Sequence, residues 1–113
     1  MKDMRKNKYN NIPTYIDNIF FRSAKEAARY CELKLLVKSK KIKYLELQPK
    51  FPIEVNGQKI CKYIADFSYT EIVDGKIRAV VEDVKSFKTA IYRLKKKHVK
   101  ALYGIDIQEV KYL

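Results

Sequence analysis

Residues 63–85 constrain this chain more than any other stretch. Two β-rich segments, 63–69 and 76–85, flank Asp74-Gly75, and an Asp-Gly pair in that setting is the strongest short-range signal for a two-residue hairpin. Successive strand residues face opposite ways, so Asp83 and Lys85 share one face while Glu82 and Val84 share the other. That parity makes Asp83, rather than Glu82, the partner of Lys85. Directly opposed residues on antiparallel strands have Cβ atoms about 4.5–5.5 Å apart, so a register setting Asp66 across from Asp83 lets two carboxylates share one hard cation.

Two acids and a lysine at one point suit phosphodiester hydrolysis. Magnesium held by Asp66 and Asp83 polarises a phosphate and acidifies water for in-line attack. The Lys85 ammonium orients that water or stabilises charge developing on the phosphoryl oxygens. The plainer alternative is a strand-face ion pair in a non-catalytic, basic nucleic-acid-binding module, since such pairs are common and contribute little.

Bulk properties favour a polyanionic partner. The chain has 113 residues, enough for one domain with a single modest core. Its 25 Lys and Arg against 13 Asp and Glu leave a formal charge of +12, which points to nucleic acid or an acidic membrane surface. No apolar run approaches the roughly 18 residues of a spanning helix, and the N-terminal residues lack a signal-peptide apolar core. Cys31 and Cys61 have no CxxC spacing and only one histidine for company, which argues against zinc and for a reduced, cytoplasmic setting.

In chain order, residues 1–11 form a basic, polar arm that is expected to be poorly ordered or to follow a partner's backbone, and the domain occupies 12–113. Residues 13–21 read as a small hairpin turning at Asp17-Asn18. Ser23-x-x-Glu26 is a capping box, opening a helix expected to run to Lys41. Glu26, Tyr30, Leu33 and Val37 share one side of it, which places Glu26 at the head of an apolar stripe. Glu26 is thus a cap, a third acid beside the cation, or both. The lysines among residues 38–43 suit a helix C-terminus or a DNA contact.

Pro49 interrupts the next extended stretch, and Asn56-Gly57 turns it back into the strand bearing Asp66. Gln48 is either a plain strand glutamine or an accessory group for water or phosphate. A second helix follows Thr89 and ends at Gly104, with Ala90, Ile91, Leu94, His98, Ala101 and Leu102 as its expected buried stripe. His98 on that stripe reads as a core histidine rather than a general base. Lys88, Arg93, Lys96 and Lys100 offer a DNA-binding face, or ordinary solvation of an amphipathic helix. Residues 105–110 alternate as a last strand.

These pieces carry a resemblance. A helical Glu, Ile64-Ala65-Asp66 and Asp83-Val84-Lys85 resemble the PD-(D/E)XK nuclease superfamily, with Ala65 where the superfamily has proline. More narrowly, Ser23-Ala24-Lys25-Glu26-Ala27-Ala28-Arg29-Tyr30, Leu47-Gln48-Pro49-Lys50-Phe51, Tyr63-Ile64-Ala65-Asp66-Phe67 and Val81-Glu82-Asp83-Val84-Lys85 look like a family of small phage-encoded, Holliday-junction-resolvase-like proteins. The resemblance implies an α/β single domain with a restriction-endonuclease-like αβββαβ core, in which a central mixed sheet is flanked by two helices and preceded by the hairpin. It implies Glu26, Asp66, Asp83 and Lys85 as catalytic residues, the three acids as ligands of Mg2+ (Mn2+ also serving), and branched DNA as substrate in phage DNA recombination or processing. Resolvases of this kind act as dimers, so a homodimer is implied, with no exposed apolar stripe in the sequence to mark its interface.

Overall fold

The structure, a computed structural model, describes residues 14–85 and 87–111. The expected arm at residues 1–11 lies outside them. Two short strands, β1 (Thr14–Ile16) and β2 (Ile19–Phe21), form the first hairpin. Asp17 and Asn18 both take positive φ there, as a type I′ turn requires. Helix α1 (Ala24–Lys38) follows, with Ser23 Oγ accepting from the Glu26 N–H at 3.1 Å as the capping box predicts. It stops three residues short of the expected Lys41. Ser39 caps it by donating its backbone N–H to Leu35, Lys40 takes a left-handed φ of 63°, and buried Ile42 already begins β3 (Ile42–Leu47).

Beyond β3 come β4 (Lys50–Val55), β5 (Gln58–Ile64), β6 (Phe67–Val73), β7 (Lys76–Val84), α2 (Ala90–Tyr103) and β8 (Gln108–Val110). Strands β3, β6, β7 and β8 form a four-stranded mixed sheet in that order, antiparallel except for the parallel β7–β8 pair. The segment 63–69, expected as one strand, breaks at Ala65-Asp66. Its first part pairs with β4 in a separate two-stranded ribbon, and its second enters the main sheet. The ribbon ends with the Asn56-Gly57 turn, again with positive φ at both positions.

The two helices lie on opposite faces of the sheet, as neighbouring residues of β7 show. Val80 joins the α1 core around Tyr30, Leu33, Phe67 and Tyr69. Val81 joins the other core with Ile53, Tyr63, Ala65, Tyr92, Val99 and Ile107. This α2 side corrects the expected stripe: Tyr92 and Val99 are buried, whereas Ala90, Ile91, Leu94, Ala101 and Leu102 are exposed and His98 is half-buried. The cause is the ribbon, against which α2 packs through Tyr92 and Tyr103; Tyr103 donates to the Pro52 carbonyl at 2.6 Å and its ring meets Phe51. Gly104, with φ of 69°, ends α2 in the expected left-handed cap.

Candidate active site

The Asp74-Gly75 turn sets Val73 against Lys76 and, at the far end of the ladder, Phe67 against Glu82. One step further brings Asp66 beside Asp83. Each acid reaches across to the other strand's backbone: Asp83 Oδ1 accepts from the Asp66 N–H at 2.8 Å, and Asp66 Oδ2 accepts from the Val84 N–H at 2.8 Å. One oxygen of each carboxylate is thus committed to fixing its position. Asp83 Oδ2 is buried without a hydrogen-bond partner among the described residues. Such an orphaned acceptor is unusual in a native interior and calls for a ligand or a water.

Lys85 stands on the same face, as parity requires, with Nζ 3.9 Å from Asp83 Oδ2. That is an ion-pair separation rather than a hydrogen bond. Its ammonium lies 4.4 Å from the centre of the Tyr92 ring, an attractive cation–π position that holds it near the acids without consuming its donors.

Glu26 opens α1 at the same end of the sheet, and its carboxyl feels both aspartates. Burial, then the Asp66 charge, opposed by Arg22, with Asp83 adding to the rise and Lys85 opposing it, push its pKa up to about 7. Asp83 rises to about 6, chiefly through burial, with Lys85 and the Asp66 N–H opposing the shift. Asp66 is also raised by burial, against the Val84 N–H, Lys85 and Arg22. Three carboxyls that resist ionisation at one point form an electrostatic load that a cation would relieve.

A recess of about 130 Å³ is bordered by Phe20, Glu26, Gln48 and Asp66. Gln48 adopts a left-handed φ of 54°, a costly conformation for a residue with a Cβ, and its N–H donates to the Asp66 carbonyl at 2.9 Å. The reversal between β3 and β4 is therefore pinned to the acid, and Gln48, in that reversal rather than in a strand, borders the recess. A larger open cleft of about 770 Å³ adjoins it, bordered by Phe20, Arg22, Gln48, Lys62, Lys85 and Lys95 among others.

Among the described residues, no three His, Cys, Asp or Glu side chains stand close enough to form a ready-made metal cage. Asp66, Asp83 and Glu26 therefore converge without closing into three-ligand geometry. The donor set nonetheless fits magnesium, which takes hard oxygens, keeps several waters, and is usually bound by one or two carboxylates together with substrate phosphates. The orphaned Asp83 Oδ2 is the oxygen left to meet such a cation or its water.

The expected DNA-binding face on α2 is differently arranged. Lys88 and Lys96 both pair with Glu109 of β8, at 2.8 and 3.0 Å, and Lys100 pairs with Asp106 at 2.8 Å. Arg93 is exposed. The cations whose charges act on the acids are instead Arg22 and Lys85, and these two border the adjoining cleft together with Lys62 and Lys95. Arg22, Lys62 and Lys95 carry no signal in the sequence because they are scattered over a bend, β5 and α2 and share no motif.

Glu82 was also passed over, as the residue facing away from Lys85. It is 1% exposed and takes a two-pronged bond from Arg29 of α1, Nε to Oε1 at 2.6 Å and Nη2 to Oε2 at 2.9 Å, with the Tyr69 hydroxyl donating to Oε2 at 2.7 Å. This buried lock fastens α1, and with it Glu26, to the strand that carries Asp83.

A family profile described as "Protein of unknown function (DUF1064)" matches residues 6–112, almost the whole chain. The chain belongs to the DUF1064 family. No curated protein and no solved structure matches it. No helix among the described residues of this DUF1064 member is long and apolar enough to cross a membrane.

Proposed function

We propose that this DUF1064 chain is a magnesium-dependent DNA endonuclease specific for a branched or otherwise structured substrate. The observation that carries the reading is the buried, unpartnered Asp83 Oδ2 beside Asp66 and 3.9 Å from the Lys85 ammonium. The order α1, β3, β6, β7, α2, β8 supports a restriction-endonuclease-like core, with the β4–β5 ribbon as an insertion within it.

Asp66 and Asp83 would hold the cation, which when bound supplies charge neutralisation at the scissile phosphate and a more acidic attacking water. Lys85, steadied over Tyr92, donates to a non-bridging phosphoryl oxygen or aligns the water. Glu26 borders the same recess as Asp66 and would serve as a third carboxylate on the cation or as the acceptor of a proton from the attacking water. Arg22, Lys62 and Lys95 border the adjoining cleft and attract the phosphates on either side. Preference for DNA structure over base sequence is supported by size: among the described residues, little chain remains beyond the core for a dedicated major-groove reader.

The deciding experiment is cleavage of a labelled four-way junction beside matched linear duplex and single strand, with magnesium, manganese or EDTA, for wild type and Asp83→Asn. Metal-dependent cutting of the junction that disappears in the variant is the expected result. Binding without cutting under every condition would return the protein to the second reading, a basic binding module, which the lack of a closed three-acid cage favours.

A further inference from the structure

The first hairpin turns two aromatic rings outward at the mouth of the site. Tyr15 and Phe20 are cross-strand partners in β1 and β2, with ring centroids 5.3 Å apart and exposures of 72% and 47%. The opposite face of the hairpin supplies Ile16, Ile19 and Phe21 to the α1 core, so its packing is satisfied without the outer pair. Phe20 borders both spaces described above: the recess holding Glu26 and Asp66, and the basic cleft holding Arg22, Lys62, Lys85 and Lys95. Arg22, in the bend that follows β2, borders the same cleft.

We infer that Phe20, backed by Tyr15, is a stacking platform for an unpaired base next to the scissile phosphate. The ligand is a DNA strand that has left the duplex, as at a fork, flap or junction. In a continuous duplex both faces of each base are covered by neighbours, so only an unstacked base offers its face to a ring. Alternating cations and aromatic rings along a groove are the physical signature of single-strand binding, since the cations hold the backbone while the rings hold the bases. Ile64 and Ile91, which border the same cleft, extend its apolar side. Selectivity for branched DNA then arises from what the hairpin recognises, with no base-specific hydrogen bond. The inference rests on the nuclease reading for its position relative to the chemistry, but the binding it describes needs no cleavage.

The test uses 2-aminopurine, whose fluorescence falls on stacking, placed either at the unpaired nucleotide of a forked DNA or inside a matched duplex, with wild-type protein in EDTA. Quenching is expected only at the fork. Phe20→Leu keeps an apolar side chain for the hairpin but removes the ring; it should abolish the quenching and lower the ratio of forked to duplex affinity about 10-fold, within the range for loss of one base–aromatic stack. Phe20→Trp should restore both. An unchanged ratio in Phe20→Leu, or equal quenching in duplex and fork, would overturn the inference. Failure of the nuclease reading looks different: no cutting with magnesium, while fork-specific quenching and its dependence on the ring persist.

Discussion

Replacing Asp83 by Asn should make the protein more stable at neutral pH, although Asp83 sits in a buried network where substitutions ordinarily cost stability. The carboxyl is 1% exposed and its pKa rises from 3.8 to about 6. At about 1.4 kcal/mol per pKa unit, ionising it in the folded protein costs about 3 kcal/mol relative to the unfolded chain. The folded pKa lies above the unfolded one, so this group's contribution is full below about pH 3.8 and lost as pH rises through about 6. An Asn at 83 keeps an oxygen for the Asp66 N–H and carries no charge at any pH. Its new amide N–H2, standing where Oδ2 stood, returns about 1–3 kcal/mol if it finds no acceptor. The net expectation at pH 7.5 without divalent cations is a gain of about 0–2 kcal/mol, at the upper end where the new N–H2 meets an acceptor. At roughly 4–8 °C per kcal/mol for a domain near this size, the melting temperature rises visibly. At pH 3.5 the gain should vanish or reverse. Urea midpoints and thermal melts of both proteins at the two pH values measure it. A structural Asp83–Lys85 ion pair predicts the opposite sign, so a variant less stable than wild type at pH 7.5 would refute the reasoning.

Three further outcomes follow from the same structure. Magnesium at a hundredfold excess over its Kd should stabilise wild type by about 2.7 kcal/mol in thermal melts, and Asp66→Ala should lose that response. Arg29→Met strands the Glu82 carboxylate in the core and should cost about 3–5 kcal/mol by urea unfolding, most of it recovered by adding Glu82→Leu. Glu109 is held down to about 2, because the Lys88, Tyr92 and Lys96 donors outweigh the effect of burial. The sign is reversed from Asp83: the stability Glu109 provides is present above pH 4.5 and lost as pH falls towards 2. Glu109→Gln should therefore cost about 1–2 kcal/mol at pH 7, after allowance for screening of the partly exposed lysines, and little at pH 2.5.

What was legible in the sequence was what short-range geometry decides. Asp17-Asn18, Asn56-Gly57 and Asp74-Gly75 all make hairpin turns, because few residue pairs tolerate positive φ at both positions. From the last of these, parity alone brought Asp66, Asp83 and Lys85 to one face. The α2 stripe was misread for a complementary reason. Ile91, Leu94 and Leu102 form the more apolar side, but which side is buried depends on where the β4–β5 ribbon lies, and the ribbon exists only because the chain breaks at Ala65-Asp66. Tyr92 wins the interior because it can pack its ring there while its hydroxyl donates to Glu109 at 2.8 Å. The Arg29–Glu82 lock was hidden because its partners are 53 residues apart and neither belongs to a motif. The exposed side of α2 also revises the view that the chain has no outward apolar stripe; Ile91 alone is 66% exposed.

The Asp74-Gly75 turn has a consequence for how this chain can change over time. It lies about 24 Å from the acids, seven residues along β7 at roughly 3.4 Å each, in a position where a surface loop would ordinarily accept insertions freely. Here it works as a gauge block. Glu82 and Asp83 are adjacent carboxylates serving opposite faces, so adding a single residue to the turn, if the ladder re-formed around it, would put Glu82 in Asp83's place and Val81 in the place that faces Arg29. The Arg29 lock and the placement of the catalytic acid would be lost together. Lineages descended from this architecture should therefore hold the length of that distant loop and draw its sequence from the few residue pairs that tolerate positive φ at both positions.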